Sequence, residues 1–334
     1  MFDKWPNLLN PLLGKKLRMW KRLGMAIAAC LLAISCAATP LQPLRISSVI
    51  WLGYEPLFLA RDLGYYDDAP IQIIEDTDHV GRTKRFLNGD VELTTTTLDG
   101  LLDIATLQDE MRALLIMDFS DGADAMIAQP EIERISDLKG KTIGILPSLL
   151  GRLVLTRTLE SAELTIDDVQ IIDIDSHQQE EAFKAKEVDA TTTYEPVASR
   201  LRAEGGNIIF DSSQMRGEIV DLLVGHKDVV VTHKKEIEIL LAGWFKALDY
   251  IQTNPDDAIA RISEHVQLTP EQVRTALEKL HYLSLEENIA VLNKTDQESL
   301  DGMRKLAQFL EDRELLKDSI DPTQLLDARS VETL

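Results

Sequence analysis

Short apolar segments of strand length alternate with helix-length segments along most of this chain. A first unit runs from the apolar segment Leu44–Trp51 to Arg112–Met117, in the order strand, helix, strand, helix, strand, helix, strand. A second unit of the same kind runs from Thr142–Leu146 to Asn207–Phe210. This alternation predicts α/β sheets and argues against a helical bundle or a β-sandwich. Because 334 residues exceed the usual size of one core, we expect two α/β lobes.

The chain after residue 218 has a different pattern. Ile219–Val224 and Val229–Val231 are predicted as two apolar strands, and Lys234–Gln252 is predicted as an amphipathic helix. From there the chain is predicted to be helical to its end. The expected segments lie near Asp256–His265, Pro270–His281 and Asp296–Glu314. Each has one apolar stripe, which favours packing on an existing lobe over a separate domain.

The first 35 residues have the features of an export signal. Five basic residues at positions 15–22 precede the apolar run Leu23–Ile34, which has 12 residues and is too short to cross a bilayer, since that takes about 20. The segment Ala33-Ile34-Ser35-Cys36 resembles a bacterial lipobox, in which Cys36 would be acylated and become the mature N-terminus. Ordinary cleavage after a small residue is the alternative. With Cys36 as the mature N-terminus, residues 36–43 would form a short tether.

The charge of the chain is divided unevenly. Of 35 Lys and Arg and 56 Asp and Glu, residues 1–35 hold six and one, which leaves 29 basic and 55 acidic residues after them. A surface with this excess of negative charge repels nucleic acid and anionic lipid. We therefore expect no nucleic-acid partner, and membrane attachment only through a lipid anchor.

Cysteine is rare in this sequence. The two cysteines, Cys30 and Cys36, lie within and directly after the apolar run of the leader. No disulfide framework and no cysteine-based metal site can be built from them in the mature protein. We expect neither a metal nor a cofactor.

Four segments, taken in order, resemble the nitrate/taurine/sulfonate-type substrate-binding proteins of bacterial ABC transporters. They are Trp51–Ala60 with Gly64–Tyr66, Asp118–Met126, Asp137–Gly144 and Asp189–Pro196. The resemblance covers roughly residues 44–262. It implies a type II periplasmic-binding-protein fold, in which the chain crosses twice between the lobes and C-terminal helices return to lobe one.

The resemblance also implies a role and an organisation. The protein would be an exported, monomeric solute-binding subunit, with a small-molecule ligand, an ABC permease and its ATPase as partners. The expected ranges are 1–35 for the leader, 36–43 for the tether, 44–122 for the first part of lobe one, 123–215 for lobe two, and 216–334 for the return to lobe one. The hinge is expected near Ser120–Ala128 and Phe210–Glu218.

Candidate ligand-binding residues follow from the strand order, because ligands of α/β sheets bind beyond the carboxyl ends of the strands. The candidates are Trp51, Gly53, Tyr54, Glu55, Asp78, Thr96, Thr97, Asp118, Asp124, Ser148, Gly151, Tyr194 and Glu195. If several of these carboxylates line the cleft, an amine or other cationic donor is expected on the ligand, since unpaired buried carboxylates are costly. A sulfonate or nitrate pocket would instead need an Arg or Lys there.

Several candidates have a structural alternative. Ser148 and Gly151 could hold an acceptor group at a helix N-terminus, or Ser148 could simply cap the helix. Trp51 and Tyr54 could form a stacking wall or belong to the core. Glu55 and Glu195 lie at predicted helix starts, where they could favour the helix dipole as readily as a ligand.

Catalysis is not expected. The six histidines lack the i,i+4 pairing of a helical zinc site, and neither a Gly-rich phosphate loop nor a nucleophile elbow occurs. The alternative to an importer subunit is a lipid-anchored sensor that presents its ligand to a membrane signalling partner.

Overall fold

The computed structural model describes residues 43–334. The expected leader, Cys36 and the expected tether up to residue 42 lie outside the described residues. Within the described range, no helix is long and apolar enough to cross a membrane.

The strands and helices follow one another in the alternation expected from the sequence. The strands are β1 Leu44–Val49, β2 Ile71–Asp76, β3 Leu93–Thr97, β4 Met111–Ser120, β5 Asp124–Ala128, β6 Thr142–Ile145, β7 Gln170–Asp173, β8 Ala190–Tyr194, β9 Asn207–Asp211, β10 Val220–His226 and β11 Leu280–Tyr282. The helices are α1 Glu55–Asp62, α2 His79–Leu87, α3 Leu98–Leu107, α4 Leu149–Glu160, α5 Ser176–Lys184, α6 Val197–Ala203, α7 Lys227–Thr232, α8 Lys234–Thr253, α9 Pro255–Val266, α10 Pro270–Leu277, α11 Leu285–Leu292 and α12 Gln297–Asp312.

The strands form two separate sheets. The first has the order β11-β4-β10-β3-β1-β2, and the second has the order β7-β6-β8-β5-β9. In each sheet some strands run parallel, such as β1 with β2 and β3, while others run antiparallel, such as β10 with β3 and β4. We call the first sheet with its helices lobe one and the second sheet with its helices lobe two. The expectation of two α/β lobes is confirmed.

The C-terminal helices pack on lobe one. Helix α8 buries Ile237, Leu240, Leu241, Trp244 and Ala247, whose spacing places them on one face. This helix packs against α1, while α11 packs against β4 and α12 against α3. The expected return of the C-terminal part to lobe one is confirmed, because these amphipathic helices cover apolar surface of that lobe.

Hydrogen bonds join the two segments in which the chain crosses between the lobes. Ser120 ends β4, and its hydroxyl lies 2.8 Å from the hydroxyl of Ser212, which follows β9. The Ser212 hydroxyl also accepts the N–H of Gly122 at 2.7 Å. Gly122 has a φ of 111°, a conformation that favours glycine over residues with a side chain. The crossings fall within the segments predicted as the hinge.

Two predictions for the C-terminal part were wrong. Val229–Val231 is not a strand but part of α7, although β-branched residues favour strands. Both sides of β10 are already paired, with β3 and β4, so this segment finds no free edge there. The chain is also not helical to its end, since Leu280–Tyr282 adds strand β11 to the outer side of β4. Residues 313–334 contain two short 3-10 turns and an isolated β-bridge from Leu326 to Ala113.

Two strands are longer than expected. Thr94–Thr97 was predicted to follow the third strand, but it lies within β3. Strand β4 was predicted to end at Met117 and instead continues to Ser120, so that Asp118 lies inside the strand. Both extensions bring polar side chains into buried sheet positions.

Candidate interlobe ligand-binding site

Two buried aspartates face each other across neighbouring strands of lobe one. Asp118, near the end of β4, pairs in register with Asp221, near the start of β10. Side chains directly opposite each other on antiparallel strands have their Cβ atoms about 5 Å apart. Asp124, the first residue of β5, is also buried, and its negative charge acts on both of the others. We call these three side chains the carboxyl cluster.

Burial disfavours the ionised form of the carboxyl cluster. The pKa of Asp118 and that of Asp221 lie well above the usual range because burial penalises the charge, and because neighbouring carboxyls repel it. Burial also raises the pKa of Asp124 to about 7. Asp124 is therefore able to gain or lose a proton near neutral pH.

Aromatic side chains donate a hydrogen bond to one carboxyl oxygen of each aspartate of the pair. The indole Nε1 of Trp51 donates to Asp118 Oδ2 at 3.4 Å, and the Tyr54 hydroxyl donates to Asp221 Oδ1. Within residues 43–334, Asp118 Oδ1, Asp221 Oδ2 and Asp124 Oδ2 are buried and have no hydrogen-bond partner. A buried carboxylate oxygen without a partner is costly, so these three atoms mark a place where a donor is missing.

Three rings join the two lobes beside this cluster. Trp51 of lobe one meets Tyr194 of lobe two edge-on, with ring centroids 5.5 Å apart and an interplanar angle of 81°. His79 of lobe one lies against the same tyrosine, and its Nε2 is 2.8 Å from the Tyr194 hydroxyl. Burial lowers the pKa of His79 to about 3, so its ring is neutral at physiological pH. The aromatic contact thus adds no charge to the interlobe surface.

A cavity of about 400 Å³ opens between the lobes. Its walls come from α2 and the start of α3 in lobe one, and from the loop at 147–150 in lobe two. The polar lining includes Arg82, Thr96, Thr97, Asp99 and Ser148. This volume lies within the range of about 300–1,000 Å³ that is usual for small-molecule sites.

Arg82 lines the cavity, and its charge acts on Asp221 of the carboxyl cluster. Its side chain is buried, and its Nη2 donates to Thr96 Oγ1 at 3.3 Å. Its Nε and Nη1 are buried and find no acceptor in the part of the chain that the structure describes. The register of β3 and β10 puts Asp221 directly opposite Thr97, so the cluster begins one strand away from the cavity wall.

Gly53 allows Trp51 and Asp118 to approach each other. A Cβ atom at this glycine would lie 1.9 Å from Asp118 Oδ2 and 2.2 Å from Trp51 Nε1. No side chain fits there without moving one of those groups. The role of Gly53 is therefore to leave room for the indole–carboxyl contact.

Other predicted residues act on their own helices. Asp78 Oδ1 accepts the N–H of Gly81 at 2.6 Å, which caps α2 and holds the pKa of Asp78 below its usual value. Ser148 caps α4 by accepting the N–H of Gly151 at 3.2 Å. A Cβ at Gly151 would lie 2.3 Å from the carbonyl oxygen of Leu146, so close packing needs glycine there. Of these residues, Ser148 also lines the cavity.

Two predicted carboxylates are occupied by protein partners. The Nδ1 of His265 lies 2.9 Å from both carboxylate oxygens of Glu55. Glu195 is fully buried, and it binds Lys279 Nζ at 3.1 Å and the N–H of Ser199 at 3.0 Å. These contacts favour the structural alternative for Glu55 and Glu195, because a carboxylate already paired with a cation has little need of another.

Arg82 and Asp221 were not among the residues predicted from the sequence. That prediction considered only the carboxyl ends of strands, whereas β10 runs antiparallel to its neighbours, so its N-terminal end reaches the site. Asp221 could have been noticed as the lone charge inside the apolar run Ile219–Val224. Arg82 lies in α2, and no local pattern separates it from the other basic residues of that helix.

A protein-family comparison accounts for much of this architecture. The family described as NMT1/THI5 like matches residues 52–258. The chain belongs to the NMT1/THI5-like family. The match reaches across both lobes and includes the carboxyl cluster, Arg82 and Tyr194. It agrees with the family resemblance that the four sequence segments predicted.

One bacterial relative is similar in sequence to part of this chain. A Brucella abortus protein named as a candidate binding protein is 22% identical over 205 residues, which cover 60% of this chain and 63% of that relative. The match therefore spans less than two thirds of the relative's length.

Solved structures are similar over nearly the whole described chain. The alkanesulfonate-binding protein of Xanthomonas axonopodis pv. citri, bound to MOPS, gives a TM-score of 0.73 at 15% identity and covers 87% of this chain and 100% of its own. A zinc-bound ligand-binding component of an ABC-type import system from Staphylococcus aureus gives 0.72 at 9%, covering 87% and 98%. These likenesses establish a type II periplasmic-binding-protein fold for this NMT1/THI5-like chain.

An enzyme also has this fold. A desulfurization enzyme gives a TM-score of 0.63 at 15% identity and covers 86% of this chain and 98% of its own. The fold alone therefore does not separate binding proteins from enzymes, and the site must do so.

Proposed function

We propose that this protein is the extracytoplasmic solute-binding subunit of an ABC importer and captures a small polar molecule between its lobes. The observation that carries this proposal is the set of buried polar atoms without protein partners, on Asp118, Asp221, Arg82 and Asp124, beside an interlobe cavity. Such groups remain unpaired in a folded protein when a ligand supplies their hydrogen bonds. The named role of the Staphylococcus aureus import component with the same fold supports the importer assignment.

Binding without catalysis is part of the proposal. Both cysteines precede residue 43, so the lobes have no thiol nucleophile. His79 has a strongly lowered pKa and is held by Tyr194, which makes it a poor general base at neutral pH. A compound recovered chemically changed after long incubation with the pure protein would contradict this part.

Attachment to the membrane through Cys36 is also proposed, with the resemblance to a lipobox as its support. The expected result is an N-terminal Cys36 that carries acyl chains in protein isolated from a bacterial membrane. Mass spectrometry decides it, and a mature N-terminus at any other residue contradicts it.

The experiment for the binding role is a thermal-shift screen with amines, amino sulfonates, pyrimidines and small carboxylates. A ligand present at about 100 times its Kd adds about 2.7 kcal/mol to the free energy of unfolding. Each compound that stabilises the protein is then tested by small-angle scattering, where closure of the lobes lowers the radius of gyration.

Variants on both lobes complete that experiment. Trp51→Ala in lobe one and Tyr194→Ala in lobe two should each weaken binding, whereas Tyr250→Ala, outside the cleft, should not. If substitutions in only one lobe matter, or if the radius of gyration stays constant at saturation, capture between two closing lobes is wrong. We expect the protein to be a monomer both with and without ligand.

A further inference from the structure

The interlobe site has an excess of negative over positive side chains. The carboxyl cluster contributes three carboxyls, and the basic group that acts on it is Arg82. Asp221 is surrounded by Tyr54, Asp118, Asp124 and Arg82, of which one alone carries a positive charge. Three ionised aspartates beside one guanidinium would leave two negative charges uncompensated in a buried place.

The unpaired atoms of this site fall into two kinds. Buried acceptors without partners are found on all three members of the carboxyl cluster, while Arg82 has the two unpaired donors Nε and Nη1, all within the described residues. The Thr193 hydroxyl on β8 is likewise buried and unpaired in the described part of lobe two. The acceptors need donors, and the guanidinium needs an acceptor.

The guanidinium does not neutralise the carboxyls directly. The side chain of Arg82 donates to Thr96, and no ion pair links it to Asp118, Asp124 or Asp221 among the contacts of residues 43–334. Some other buried carboxylates of lobe one are paired with a basic side chain, as in Asp327 with Arg329 and Glu55 with His265. Asp118 and Asp221 differ from these paired acids.

We infer that the ligand presents a positively charged nitrogen group, such as an ammonium or amidinium, to Asp118, Asp221 and Asp124, and an acceptor group to Arg82. This inference rests on the proposed binding function and specifies its ligand class. A cation at the cluster supplies the missing donors and removes the repulsion between the carboxyls. An acceptor at the other end of the same molecule satisfies Nε and Nη1 of Arg82.

Ionisation of the cluster gives this inference a second measurable consequence. Burial and mutual repulsion keep protons on the carboxyls without ligand, and a bound cation favours their charged forms. Cation binding at neutral pH should therefore release protons. An anion bound at Arg82 alone would not displace them.

Two matched series test the charge of the ligand. Ethanolamine, taurine and isethionate are cation, zwitterion and anion of similar size, and benzamidine, 4-amidinobenzoate and benzoate form an aromatic equivalent. We expect the zwitterion and the cation of a series to raise the unfolding temperature, and its anion to have no effect. Calorimetry in buffers of different ionisation enthalpy should detect proton release for the compounds that bind.

Variants separate ligand binding from structural effects. Asp221→Asn should lower the affinity for a cationic probe by about 30-fold or more, since a buried charge loses its partner. The same change should raise the unfolding temperature of the free protein, because an amide at this buried position cannot ionise. Asp327→Asn is the matched control, since this buried aspartate is paired with Arg329, and it should lower stability and leave affinity unchanged.

The outcomes distinguish the two proposals. If the anion of a series binds best and closes the lobes, the binding function stands and the cation assignment is wrong. If cations bind without proton release and Asp221→Asn leaves their affinity intact, the carboxyl cluster is not their site and the inference also fails. If no member of either series binds and no compound of the wider screen closes the lobes, the binding function itself fails.

Discussion

Lys279 of lobe one and Glu195 of lobe two form an ion pair across the lobes, with Nζ and Oε1 3.1 Å apart. Glu195 is completely buried, whereas the lysine side chain is one-fifth exposed. A second link joins the same faces, since Arg200 Nη2 donates to the carbonyl oxygen of Val266 at 2.9 Å. Because both contacts join the two lobes, they hold the lobes in the arrangement seen here.

Lys279→Met should weaken closure. The substitution leaves a carboxylate oxygen of Glu195 buried without its cation, which costs about 1–3 kcal/mol in the closed state. We expect a larger radius of gyration in scattering from the free protein, and weaker ligand binding. Lys184→Met, which removes only surface pairs with Glu180 and Glu204, serves as the control and should change neither quantity. If the two variants behave alike, the ion pair between Lys279 and Glu195 does not stabilise the closed form.

Tyr54→Phe and Tyr66→Phe should have opposite effects on stability. Tyr54 donates to Asp221, so losing its hydroxyl leaves another carboxyl oxygen unpaired and lowers the free energy of unfolding by about 1–2 kcal/mol. The Tyr66 hydroxyl is buried and unpaired within residues 43–334, so its removal should be neutral or stabilising. Denaturant titration measures both. A loss of stability in the Tyr66 variant as large as in the Tyr54 variant would contradict the assigned hydrogen bond.

Asp124 should make the free protein less stable as pH rises from about 4 to about 7. The pKa of Asp124 is about 7 when folded, raised by burial first and by Asp99 and Glu195 next, against about 3.9 when unfolded. Between these values the folded state holds a proton that the unfolded state has released. This group therefore contributes a slope of at most about 1.4 kcal/mol per pH unit, negative with rising pH.

Asp124→Asn should remove that contribution, which denaturant titrations at several pH values can measure. Asp327→Asn provides a control of opposite sign. Burial alone would raise the pKa of Asp327, but hydrogen bonds from Arg329 hold it below the usual value, so its stabilising effect is lost as pH falls. An unchanged pH profile in the Asp124 variant would contradict the raised pKa.

The contact between His265 and two glutamates should stabilise the protein up to mildly alkaline pH. Glu55 foremost, and Glu75 at 2.9 Å from Nε2, raise the pKa of His265 to about 9. Because the folded pKa exceeds the unfolded value of about 6.5, the stabilisation is complete below pH 6.5 and is lost as pH rises through 9.

His265→Gln should therefore abolish a decrease of about 1–3 kcal/mol between these pH values, as measured by urea titration. His281→Gln, at an exposed side chain that lies 3.7 Å from Glu287, is the matched control. If both variants retain the decrease, the stabilisation does not come from the His265 contacts.

The order of elements could be read from the sequence because it depends on local patterns. Apolar runs of strand length, helical spacing and residues that cap helices operate within a few positions, as Asp78 and Ser148 do for α2 and α4. The prediction of a strand at Val229–Val231 was wrong because strand formation also depends on distant parts of the chain. A run of β-branched residues forms a strand only where a neighbouring strand offers free backbone groups, and both sides of β10 were taken.

The candidate site was only partly predictable. Trp51, Tyr54, Asp118, Asp124 and Tyr194 were expected from their positions at strand ends, and the structure brings them together. The sequence by itself determined the two α/β lobes, their helices and these side chains near the sheet edges, since periodicity and strand direction are local. Only the tertiary structure decided that Asp221 lies opposite Asp118, that Arg82 lacks a carboxylate partner, and that His265 and Lys279 occupy Glu55 and Glu195. These pairings join residues more than 80 positions apart, and they are set by strand order and lobe packing, which no local pattern encodes.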